Sequence, residues 1–282
     1  MKKSIYTTIL VILTICCIIG GTIYHVFGWL SHSSLLPWNW GSSYEKFDEN
    51  RETYESQLDA FSAVKIDGSV FDITIESGDG YYISYDCVSY LVPEIRQSSS
   101  DKTLEIIQPK VPQFHSGIHN NNCDMILTVP GDCKLEGVTI LGDVGDIEIK
   151  NLSGAKLCIE SAVGDASVTH CNFDFSDISM DVGTLEVEDS SLGVCTADSD
   201  VGDLTFSSCD FTSLDAGADV GDIEIELQKD ISHYEVDLSC DIGSVSVNGK
   251  DCRKSFHQTV SGGKISNSII ATTSTGDIKL KY

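Results

Sequence analysis

One feature constrains this chain more than any other. The tripeptides Val144-Gly145-Asp146, Val163-Gly164-Asp165, Val182-Gly183-Thr184, Val201-Gly202-Asp203 and Val220-Gly221-Asp222 recur at a spacing of 19 residues. Ile242-Gly243-Ser244 follows after 22 residues and Thr275-Gly276-Asp277 after a further 33, which reads as insertions of three and fourteen residues into later coils. A fixed period of this length is the signature of a stacked repeat architecture.

Folding the sequence on that period aligns Ile147, Ala166, Leu185, Leu204 and Ile223 in one apolar column, and Ile149, Val168, Val187, Phe206 and Ile225 in another. Polar residues separate them, which is the period-two alternation of a strand with one buried face. Ile140, Ile159, Ile178, Ala197, Ala216 and Leu238 mark a second strand in each coil, and Ile269, Ala271, Ile278 and Leu280 fit the same frame. Equivalent coils that stack in parallel bury a continuous ladder. The expected fold is therefore all-β: a single-chain β-solenoid, parallel β-helix-like, with 19-residue coils. Gly in each corner supplies positive φ, the Asp after it bonds its own turn, and the Val before it points inward. The insertion around Asp251 to Gly263 reads as a projecting loop.

Upstream, Lys2 and Lys3 precede a run from Ile5 to Leu30 without Asp, Glu, Lys or Arg, longer than the roughly 20 residues that cross a bilayer. The lysines on one side and the acidic Glu45 to Glu55 segment on the other predict a single-pass protein in the cell membrane, N-terminus cytoplasmic and C-terminal domain extracytoplasmic. The expected domains are a cytoplasmic tip and transmembrane anchor (1–30), a polar linker (31–59), a β-rich capping and first-coil region (60–136) and the solenoid of repeats (137–282). Strands begin at Val64-Lys65-Ile66, the first of which caps the stack.

A formal net charge of -25 repels phosphates and excludes nucleic acid as a partner, leaving cations or basic surfaces as the attraction. Asp143, Asp146, Asp181, Asp200, Asp203, Asp219 and Asp222 flank the corners, and stacking brings their carboxylates about 5 Å apart. Calcium, which takes oxygen ligands, would relieve that repulsion, and these seven are the candidate metal ligands; otherwise no cofactor is expected. His115, His119, Cys123 and Cys133 have zinc-ligand chemistry but sit in a loop with Pro112 and Asn120-Asn121-Asn122, which favours a metal-free excursion. Cys123 and Cys133 could also bridge a short hairpin, while Cys171 and Cys209 occupy equivalent repeat positions as small apolar fillers. No nucleophile elbow, zinc-protease motif or phosphate loop is present, so no catalytic residue is assigned. Outward Glu148, Glu186 and Glu224 read as a solvated face.

The N-terminal span, the opening Val64-Lys65-Ile66-Asp67 then Asp72-Ile73-Thr74-Ile75, the Leu127-Thr128-Val129-Pro130 strand and the Val-Gly-Asp-Ile corners together resemble bacterial "putative adhesin" proteins of the β-strand-repeat type over residues 60–282. The resemblance implies a non-enzymatic extracytoplasmic β-solenoid and suggests adhesion to an extracellular protein or polysaccharide. The alternatives are an envelope accessory or stress-sensing membrane protein and, behind it, a polysaccharide-active enzyme.

Overall fold

Apolar residues at every second position bury one face of each strand, and the fold closes those faces against one another between two walls. The computed structural model describes residues 50–98, 100–110, 123–260 and 267–282, all in one unit. The apolar run Ile5 to Leu30, with the transmembrane helix expected there, and the pair His115 and His119 lie outside the described residues. Among those described, no helix is long and apolar enough to cross a membrane.

The described residues are all-β apart from two short 3-10 turns, Ser89–Leu91 and Ile231–His233, and they coil in parallel. In the shorter wall Ile73 pairs with Ile147, Ile147 with Ala166, Ala166 with Leu185, Leu185 with Leu204 and Leu204 with Ile223. In the longer wall Ile140 pairs with Ile159, then Ile178, Ala197 and Ala216. These are the columns of the 19-residue frame, and their side chains are essentially inaccessible to water. Each large aliphatic residue so buried contributes about 1.5–3 kcal/mol relative to exposure.

Stacking departs from sequence order at both ends. Coil 267–281 lies between coils 210–227 and 234–247: Ile278 pairs with Ile223 on one side and Val245 on the other, and Ala271 with Ala216 and Leu238. Coil 63–78 likewise lies between coil 103–130 and coil 137–150, with Ile66 against Ile106 and Ile140. Both the first and the last coil of the chain are thus clasped by neighbours on each side. The expectation that Val64-Lys65-Ile66 caps the stack is corrected by this, because an edge strand there would leave its backbone groups open.

Antiparallel strands close the ends instead. Tyr82–Val88 and Glu94–Ser98 cover coil 103–130, and Arg51–Gln57, in the stretch read as linker, pairs with Tyr82–Val88. At the other end the insertion read as a projecting loop folds back: Lys250–Asp251 pairs with Val245–Val247 and Ser255–Gln258 with Tyr234–Ile242. Such covers remove the bare edges that invite aggregation.

Two corners turn each coil. At the first, Gly164, Gly183 and Gly202 have φ of 144°, 150° and 151°. A Cβ on Gly183 would lie 1.9 Å from the Gly164 carbonyl oxygen, so stacked glycine backbones leave no room for a side chain. At the second, Asn151, His170, Asp189, Ser208 and Asn248 adopt φ of 55°, 53°, 47°, 53° and 47°, the left-handed region that short polar residues tolerate.

Near the clasped first coil, buried Gln108 supplies hydrogen bonds where the ladder stops. Its Oε1 accepts from the Ser69 N–H (2.8 Å) and Val70 N–H (2.7 Å), and its Nε2 donates to the Val70 carbonyl (3.1 Å). Gln108→Ala leaves both N–H groups unsatisfied at a cost of about 2–4 kcal/mol, read as a lower urea midpoint with unchanged slope.

Candidate functional site: the valine ridge and its acidic flanks

The alternation that buries Met180 and exposes Asp181 fails at the corner. Val182 would fall on the inner face, but the turn into Gly183 carries it past the end of the core. Val144, Val163, Val182, Val201 and Val220 are each 47–49% exposed and Ile242 66%, so the valines expected to point inward form an outward apolar ridge. Parallel pairing aligns them, Val163 with Val144, Val182 and then Val201 and Val220. With about 4.8 Å between rungs, the ridge is continuous from Val144 to Val220, beyond which Thr275 separates Val220 from Ile242.

Carboxylates flank it on both sides. The row after the glycines is a hydrogen-bonded ladder: the Asp165 N–H donates to Asp146 Oδ1 (2.9 Å), Thr184 N–H to Asp165 Oδ1 (2.8 Å), Asp222 N–H to Asp203 Oδ1 (2.8 Å) and Asp277 N–H to Asp222 Oδ1 (2.7 Å). Asp146 in turn donates its N–H to Asp72 Oδ1 (2.9 Å), and Ser244 donates N–H and Oγ–H to Asp277 Oδ1. Each carboxylate therefore bonds the neighbouring coil rather than its own turn, which satisfies a backbone donor that the corner would otherwise leave unpaired. Thr184, lacking a carboxylate, interrupts the series.

The row before the valines behaves differently. Asp143 accepts from Ser69 Oγ (3.3 Å) and pairs with Lys110 (2.9 Å), whereas Asp181, Asp200, Asp219 and Asp241 are exposed and form no side-chain hydrogen bond or ion pair among the described residues. On the same wall, burial and then the Asp215 and Asp177 charges push the Asp198 carboxyl above its ordinary range. Of the seven candidate calcium ligands, Asp146, Asp203 and Asp222 are thus committed to the backbone ladder, and Asp181, Asp200 and Asp219 are uncommitted. Among the described residues no group of three or more His, Cys, Asp or Glu is arranged to hold a metal ion.

Two open, shallow grooves run along the flanks. One of about 520 Å³ is lined by Asp72, Asp146, Asp165, Thr184, Glu148 and Glu186. The other, about 420 Å³, is lined by Asp198, Asp200, Asp219, Asp241, Ser239 and Thr272. Neither resembles an enclosed small-molecule site. Two of the three outward glutamates are ion-paired: Glu148 with Lys150, and Glu224 with Lys279 and Lys281, the Lys281 ammonium holding the Glu224 carboxyl below its ordinary range. Among the zinc candidates, Cys133 accepts a hydrogen bond from the Tyr81 hydroxyl (3.4 Å), whereas Cys123 is buried against Cys87. The extended strand Asp124–Pro130 (7 residues) between them holds the two cysteines too far apart for the short hairpin bridge. Cys171 and Cys209 do fill buried repeat positions, and their thiols donate to the carbonyls of Thr169 and Ser207.

A family model of these parallel-coil domains matches residues 61–281. The chain belongs to the Toastrack DUF4097 family. Solved structures similar to this Toastrack domain include a "putative adhesin" of Bacteroides fragilis (16% identity, 83% of this chain and 98% of that one, TM-score 0.44). A "putative cell adhesion protein" of Clostridium sporogenes is 16% identical over 82% of this chain and 98% of that one, with TM-score 0.38. A "putative lipid binding protein" of Parabacteroides distasonis is 14% identical over 82% and 96%, with TM-score 0.44. No curated protein matches the chain. The ridge itself was missed in the sequence because the strand rule was carried one residue too far, into the corner.

Proposed function

We propose that this Toastrack protein is a non-catalytic binding rod, displayed outside the cell membrane on an N-terminal anchor at residues 1–30 and a short linker, that adheres to a basic extracellular partner. The observation that carries this reading is the exposed valine ridge between two acidic rows. Core burial gives those valines no reason to be apolar, whereas a partner with an apolar strip edged by cations would cover them and neutralise the uncommitted carboxylates of Asp181, Asp200 and Asp219. An extended, open surface suits a protein segment or polymer better than a small substrate.

Cells displaying the full chain provide the test, scored by retention on immobilised extracellular-matrix protein. Retention is expected to fall about tenfold or more for Val182→Ser/Val201→Ser/Val220→Ser and for Asp181→Asn/Asp200→Asn/Asp219→Asn, with display unchanged. Ten-fold corresponds to about 1.4 kcal/mol. Wild-type retention in both variants overturns the ridge as the binding surface. Chelating calcium in the same assay separates direct charge pairing from an ion-bridged contact: unchanged retention removes calcium, and lost retention that returns with added calcium assigns it to the uncommitted row. If only the anchor and linker matter, the envelope-accessory reading takes over.

A further inference from the structure

Nine cysteines lie among the described residues and all are thiols here. Most are kept apart: Cys171 and Cys209 sit two coils from one another with Ser190 between them, and Cys133 faces Tyr81. One pair differs. Strands Tyr82–Val88 and Asp124–Pro130 run antiparallel with Tyr85 opposite Met125 and Asp86 opposite Asp124, and continuing that register puts Cys87 opposite Cys123. The two thiols lie close enough to interact and both are buried, at 0% and 1% exposure, with Cys87 Sγ donating to the Leu91 carbonyl (3.2 Å). Directly opposed residues of an antiparallel pair have Cα atoms about 4.5–5.5 Å apart, within the roughly 4.4–6.8 Å span that a disulfide bridges.

We propose that Cys87 and Cys123 form a disulfide in the mature protein, fastening the antiparallel cover to the first coils. This rests on the extracytoplasmic placement proposed above, since thiols there meet an oxidising compartment. The chemistry is exchange with a disulfide-bearing oxidant, either a dithiol oxidoreductase or a low-molecular-weight disulfide. One of the two cysteine thiolates attacks one sulfur of that oxidant, forming a mixed disulfide and expelling one thiolate. The other cysteine's thiolate then attacks the protein sulfur of the mixed disulfide and expels the second. Two protein thiols are oxidised to one disulfide, the oxidant's disulfide is reduced to two thiols, and the two protons end on the departing sulfurs.

Because both cysteines are inaccessible once the cover is seated, exchange takes place as the Tyr82–Val88 strand docks. The bridge closes a loop containing the Glu94–Ser98 and Thr103–Ile107 strands and ties down the strand that carries Arg51–Gln57.

The experiment isolates the full-length chain from producing cells under acid quench and alkylates free thiols. Non-reducing tryptic mass mapping then follows. The expected result is a linked pair of peptides containing Cys87 and Cys123, retained in Cys133→Ser, absent in Cys87→Ser and Cys123→Ser, and separated by reductant. Reduction is also expected to lower the unfolding midpoint by about 5–10 °C. Full alkylation of both cysteines in the wild-type chain, or a Cys123–Cys133 link, overturns the proposal. Refolding the wild-type chain with oxidised glutathione then identifies which premise failed. A Cys87–Cys123 link formed only there indicts the extracytoplasmic placement, and none at all indicts the pairing.

Discussion

Gly183→Ala is expected to destabilise the domain by about 3–5 kcal/mol, enough to unfold a large fraction of the chain near 37 °C. Two costs combine. The backbone at φ 150° is one that L side chains rarely adopt, at about 1–3 kcal/mol. The new Cβ would meet the Gly164 carbonyl at 1.9 Å and its carbon at 2.7 Å, so the coils must part or the corner must open, at a further 1–3 kcal/mol or so. Opening the corner also stretches the ladder bond from the Thr184 N–H to Asp165. Urea unfolding followed by circular dichroism measures the effect. Ser208→Ala makes the contrast, because the second corner already accommodates side chains and a loss below about 1 kcal/mol is expected there. Equal losses in the two variants would mean that the glycine corner is not the close contact described.

Deleting residues 267–282 is expected to have a larger effect still. The C-terminal coil is not a terminal cap: it fills a slot whose two faces are coils 210–227 and 234–247. Its loss removes the burial of Ile269, Ile278 and Leu280, at about 1.5–3 kcal/mol each, and uncovers Ala216, Ile223, Leu238 and Val245, which it covered. The sum approaches the whole stability of a typical domain. The truncated chain should therefore melt at least 15–20 °C lower or lose its cooperative transition, and a peptide of residues 261–282 added in excess should restore much of it. If the truncated chain melts near the wild-type midpoint, coil 234–247 has simply seated on coil 210–227, and the clasped order described above is not what stabilises this end.

Periodicity made the inner structure readable before any coordinates: every column from Ile147 to Ile223 pairs as the 19-residue frame implies. That success has a physical basis, since identical coils bury identical positions and the buried ladder dictates the sequence. What it could not convey was order among near-equivalent coils. Coils 234–247 and 267–281 carry the same inward pattern, so either fits against Ile223, and the period alone does not order them. The valine ridge escaped for a related reason. Period two holds only while the strand is straight, and the residue before a glycine turn leaves the pleat. Likewise Asp146 and Asp203 were legible as corner residues but not as acceptors for the next coil, because that bond spans 19 positions at Asp146.

The most direct test of the central claim is site-specific photo-crosslinking of the full chain in the cells that produce it, exposed to their natural surroundings. A photoreactive residue is placed in turn at Val163, Val182 and Val201 on the ridge, and at the exposed His170 and Asp189 in the second corner. The account predicts a defined adduct with a basic partner from outside the cell at the ridge positions, weakened by high salt and absent at the two control positions. Adducts spread evenly over both sets of positions, or confined to envelope proteins of the same cell, would contradict an adhesive ridge.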